Sequence, residues 1–119
     1  MSNDILSRKF GFVCRHVLLD FIVSYCSKAK VLGVDTETEG MDFTSKRMVM
    51  FQIGDGTHQF IIDTRTSSIE PLRDILESKD IIKILHNAKF DYKFIKKWAN
   101  IELSNVYDTF LVERLRGTF

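Results

Sequence analysis

The sequence predicts an α/β domain, a mixed sheet with helices packed on it. Three observations predict it. Apolar, β-branched runs of strand length recur at 31–36, 47–53, 59–63 and 81–85; two longer stretches repeat their apolar residues at helical spacing; and a glycine-rich turn separates the second run from the third.

Taken in order, residues 12–29 place Val13, Val17, Leu18, Phe21, Ile22 and Tyr25 on one helical face, so residues 1–30 are assigned to an N-terminal helix and residues 31–119 to the sheet and its helices. Val31-Leu32-Gly33-Val34-Asp35-Thr36 reads as a buried central strand that stops at Glu39-Gly40. The runs 47–53 and 59–63 flank Gly54-Asp55-Gly56-Thr57-His58, which predicts an antiparallel hairpin. Helix signals over 68–77 carry the only proline, Pro71, near their start, where a missing N–H costs least. Residues 81–85 form an apolar fourth strand. A second amphipathic helix spans 88–99, with Phe90, Phe94, Ile95 and Trp98 as its buried stripe. Asn105-Val106-Tyr107 suits a short strand, after which Asp108 caps a last helix through Arg114.

Composition bounds the function. The chain has 119 residues, 45% hydrophobic and 12% aromatic, enough to bury one core and to exclude global disorder. Lys plus Arg minus Asp plus Glu is 17 − 16 = +1, so any nucleic-acid contact is local rather than an unspecific wrap of phosphates. No apolar run approaches the ~18 residues of a membrane span, and Met1-Ser2-Asn3-Asp4 opens no export signal. Cys14 and Cys26 are too far apart on one helix to bridge, which suggests buried, reduced thiols and a cytoplasmic location.

Two groups of residues point to chemistry. Asp35 and Glu37 lie two apart on a strand, so both carboxylates leave the same face; a proton, a basic partner or a divalent cation relieves their repulsion, and a solvated strand end is the plainer alternative. Asn87 and Asp91 fall on the apolar side of the helix over 88–99, where an acid must be paired, hydrogen-bonded or bound to metal. The plainer alternative there is a cap from Asn87 and a lysine partner for Asp91. Lys89, Lys93, Lys96 and Lys97 face the other way and read as a solvated surface.

Val34-Asp35-Thr36-Glu37-Thr38-Glu39-Gly40-Met41-Asp42 resembles the first motif of the 3′-5′ exonucleases with a ribonuclease H-like fold, the superfamily named for four acidic residues. His86-Asn87-Ala88-Lys89-Phe90-Asp91 resembles their second motif. Tyr107-Asp108-Thr109 with Glu113-Arg114-Leu115 is similar to a segment found in the proofreading domain of DNA polymerase I and in ribonuclease D. The resemblance runs from Val31 onward. It implies two-metal hydrolysis of the terminal phosphodiester of DNA or RNA at a single-stranded 3′ end, with two magnesium or manganese ions. Asp35 would bridge both ions, Glu37 would hold one and Asp91 the other, while Thr36, Thr38 and Asn87 would contact substrate.

The third motif of that family, a Tyr or His four residues before a metal-binding Asp, has no counterpart before Phe119. The expectation is therefore a partial domain over residues 1–119, lacking the C-terminal part of the fold, with apolar surface left for a second copy or a partner chain. The other reading is a catalytically deficient module that binds nucleic acid or protein on the same fold. His16 and Asp20 have the third motif's spacing but read as an i to i+4 surface pair. His86 is expected in the core on a backbone partner, His58 in a turn, and Asp55 and Asp63 at turns or strand ends.

Overall fold

One strand makes both kinds of pairing and so organises the rest. The computed structural model describes residues 12, 13 and 16–118, with side chains over 18–116. Strand β2 (Val31–Thr38) runs antiparallel to β3 (Met48–Gly54), in register from Gly33 opposite Gly54 to Glu37 opposite Met50, with a shift between Glu37 and Thr38. On its other side β2 runs parallel to β5 (Ile82–Leu85), with Val31 opposite Ile82. Strand β4 (Gln59–Asp63) closes the hairpin on β3, and the two-residue β1 (Phe12–Val13) lies parallel outside β4. Strand β6 (Val106–Asp108) pairs parallel with β5, giving the order β1-β4-β3-β2-β5-β6. Gly54 cannot be replaced at the hairpin end: a Cβ there would sit 2.4 Å from the His58 carbonyl oxygen.

The helices are α1 (His16–Cys26), α2 (Arg73–Glu77), which continues a 3-10 turn over Glu70–Leu72, α3 (Ala88–Ala99) and α4 (Thr109–Thr118). None of the described helices is long and apolar enough to cross a membrane. Leu32, Phe51, Ile53 and Ile62 of the sheet and Leu72, Leu76, Phe94 and Ile95 of the helices are fully buried in one core. Each such side chain contributes about 1.5–3 kcal/mol of transfer free energy.

Several expectations need correction. The first helix starts at His16, because Phe12 and Val13 are drawn into pairing with β4. Phe21 lies 57% exposed, its ring against those of Tyr25 and the buried Phe60. Trp98 is 44% exposed: its indole N–H donates to the Lys46 carbonyl at 2.9 Å, which holds the ring at the rim. The fourth strand is not wholly apolar, since Lys83 is fully buried within it, its Nζ donating to the carbonyls of Ile75 (3.1 Å) and Ser78 (2.6 Å). Burial lowers its pKa from 10.5 to about 8. Cys26 is a buried free thiol, pushed up to about 11 by burial and then by the Asp55 charge; Cys14 and the His16 side chain lie outside the described residues.

Candidate active site

The alternation of β2 sorts its C-terminal residues. Asp35 and Glu37 are exposed on one side, as their spacing predicts, and Thr36 between them is buried on the other. Asp91, in the first turn of α3, packs against this buried side at only 3% exposure. The Thr36 hydroxyl donates to Asp91 Oδ1, so the acid's partner is a threonine of the central strand and not a lysine.

Asp91 carries the largest electrostatic cost in the site. Its pKa rises from 3.8 to about 6: burial raises it most, the Thr36 hydrogen bond opposes the rise, and the charges of Asp35 and then Asp108 add to it. Asp35 and Asp91 therefore act on one another. Glu37 shares the side of Asp35. Among the described residues, no three His, Cys, Asp or Glu side chains converge closely enough to hold an ion between them.

The start of α3 is set from 20 residues away. Asn87 takes a left-handed backbone (φ 63°, ψ 59°) and provides no side-chain cap. The Asp108 carboxylate does this instead, accepting the N–H of Asn87 at 3.0 Å and of Ala88 at 2.9 Å while also accepting the N–H of Phe110 at 2.9 Å at the start of α4. These bonds pull Asp108 below the usual carboxylate range despite the opposing effect of burial, the largest single influence. Capping of the last helix was expected; the second cap was not, because only the parallel pairing of β6 with β5 brings Asp108 to Asn87.

The remaining candidates fall as follows. The Thr38 hydroxyl donates to the Gly40 carbonyl at 2.8 Å, so, like that of Thr36, it is engaged within the chain. The Asn87 side chain is exposed. His86 is not a core residue: it is exposed, with Nδ1 2.9 Å from the Thr109 hydroxyl oxygen. His58 lies in the hairpin turn, 2.8 Å from the Tyr25 hydroxyl. Asp55 caps that turn and Asp63 ends β4, bonded to Arg65. The four lysines of α3 are solvated, Lys96 pairing with Glu102 at 3.5 Å.

Carboxylate oxygens are the donors that hard divalent cations select, and a cation would relieve the cost of an ionised, buried Asp91 beside Asp35. By donor chemistry and by that deficit the residues fit magnesium or manganese. A mixed sheet with an exposed acid pair on its central strand and a buried acid on α3 is the arrangement of a nuclease-like α/β domain of the ribonuclease H type. A family model described as 3′-5′ exonuclease matches residues 13–118, and the chain belongs to that family. No curated protein matches it.

Solved structures share the fold. The Nibbler EXO domain of Aedes aegypti superposes with a TM-score of 0.77 at 16% identity, covering 91% of this chain and 56% of that one. The RNase D of Trypanosoma brucei in complex with RNA U12 gives 0.74 at 17%, covering 82% and 36%. Brucella melitensis NrnC with bound Mg2+ gives 0.71 at 23%, covering 76% and 47%. The chain thus spans between about a third and just over half of these proteins' lengths.

Proposed function

We propose that this chain carries the acidic half of a metal-dependent 3′-5′ exonuclease centre that hydrolyses the terminal phosphodiester of single-stranded DNA or RNA. The observation that carries the reading is Asp91, buried under Thr36 and raised in pKa by burial and by Asp35. Asp35, Glu37 and Asp91 would hold magnesium or manganese, which when bound neutralises the charge that develops on a phosphoryl group under attack.

The chain's own residues prepare that site. Thr36 fixes the Asp91 carboxylate by its hydrogen bond and so acts as a positioning group. Asp108 sets the start of α3 and so the direction from which Asp91 approaches β2. Asp35 and Glu37, being exposed, are open to an incoming strand. The RNA held by the Trypanosoma brucei RNase D and the Mg2+ held by NrnC support substrate and metal of these classes. A fourth acid and a water-orienting Tyr or His would come from a further segment, a partner chain or a second copy.

The absence of a three-carboxylate cluster among the described residues favours a second reading, a module that binds nucleic acid without cleaving it. A 5′-labelled single strand incubated with manganese separates the two. A stepwise ladder that disappears in Asp35→Ala supports hydrolysis. An intact strand that the chain nevertheless retains in a gel-shift assay supports binding alone.

A further inference from the structure

A cavity of about 350 Å³ lies away from the acids, between the start of β3, the loop after β4 and the end of α3. That volume reaches the lower end of small-ligand sites, about 300 Å³. Its lining combines three kinds of group. Arg47 and Arg65 bring positive charge, and no carboxylate lines the cavity. Asp63 engages Arg65 through both its oxygens at 3.0 and 3.1 Å, whereas the Arg47 side chain forms no ion pair with any described residue: its backbone alone is bonded, the N–H donating to the Glu39 carboxylate at 2.7 Å and the carbonyl accepting the Glu39 N–H at 2.9 Å. Its guanidinium is therefore free to take an anion bidentately.

The hydroxyls add donors beside that charge. Ser67 Oγ has no partner among the described residues. Ser68 Oγ accepts the Glu70 N–H at 3.0 Å, which leaves its own O–H to donate. The third element is Trp98. Its N–H is already given to Lys46, so the ring is fixed in orientation and offers a surface rather than a donor. A single planar aromatic platform next to a cationic, hydroxyl-lined recess matches one base and one phosphate.

We propose that this cavity is a second nucleotide-binding site, which takes the phosphate at Arg47 with Ser67 and Ser68 and stacks the base on Trp98. It uses none of the acids of the candidate active site, so it stands whether or not the chain hydrolyses anything. The nucleotide has two sources, a free nucleoside monophosphate or one unit of a bound single strand.

Trp98 is the chain's only tryptophan, so its fluorescence reports on the site. The chain is titrated with AMP and, separately, with a short single-stranded RNA, both in EDTA. Saturable quenching is expected from at least one probe, weakened about tenfold or more in Arg47→Gln, the loss of one charge-assisted contact, and preserved in Asp35→Ala. Equal affinity for AMP and RNA identifies the free nucleotide as ligand, and tighter binding of RNA identifies the strand. Arg47 is exposed, and circular dichroism confirms that the variant folds. Absence of saturable quenching by both probes, or an unchanged isotherm in Arg47→Gln, overturns the proposal.

Discussion

Replacing Asp91 by Asn removes an ionisable group while keeping an oxygen that accepts from Thr36. The wild-type carboxyl titrates near 3.8 when unfolded and near 6 when folded. Below about pH 3 both states are protonated and the group costs nothing. As pH rises from about 3.8 towards 6 the unfolded chain gives up this proton while the folded chain keeps it, and the stability present at low pH is lost across that window. The gap is about two pH units at about 1.4 kcal/mol each, so the loss is complete near pH 7 and reaches about 3 kcal/mol. Urea unfolding in EDTA at about pH 5 and about pH 8 measures the later part of it. Relative to wild type, Asp91→Asn gains about 1.4 kcal/mol between the two conditions, because the unfolded carboxyl is already ionised at about pH 5 and only the last unit up to the folded value of about 6 remains to be crossed. Parallel profiles for the two proteins would refute the reasoning, because Asp91 would then be solvated or compensated in the folded chain.

Three further outcomes follow from the same geometry. Thr36→Val removes the hydroxyl donor to the buried Asp91 and should cost about 1–3 kcal/mol in urea unfolding near pH 8, where the acid is ionised. Asp108→Ala removes the acceptor for the first N–H groups of α3 and α4 and should lower stability by about 1–2 kcal/mol, while Asp80→Ala, at an exposed position, changes it little. Lys83 has a depressed folded pKa, so the unfolded chain binds its proton more tightly between about pH 8 and 10.5, and wild-type stability should carry a contribution that rises across that window. In Lys83→Met that contribution disappears, which thermal melts over the same range detect.

What the sequence disclosed and what it hid divide along the range of the interaction. Helix α3 was legible to its ends because Phe94 and Ile95 repeat on one face, and the hairpin because Gly54-Asp55-Gly56 allows little else. The shared side of Asp35 and Glu37 follows from strand pleating, and the inward placement of Asp91 from the helical wheel. Its partner was not legible, since Thr36 and Asp91 are 55 residues apart and only the packing of α3 on β2 joins them. Asp108 caps α3 for the same kind of reason. Strand β1 has two residues and no pattern of its own; its partner makes it a strand. Trp98 continues the apolar spacing of α3 yet stops at the rim, where a carbonyl claims its N–H. Lys83 sits in a buried strand because two carbonyl oxygens from the end of α2 accept its protons, and nothing local announces them.

Calorimetric titration of manganese into the metal-free chain, repeated with Asp35→Ala and Asp91→Asn, tests the centre most directly. Saturable binding by the wild type, weakened strongly by each substitution, is the predicted result. An isotherm that neither substitution alters would place any bound manganese elsewhere and contradict the joint action of these two acids.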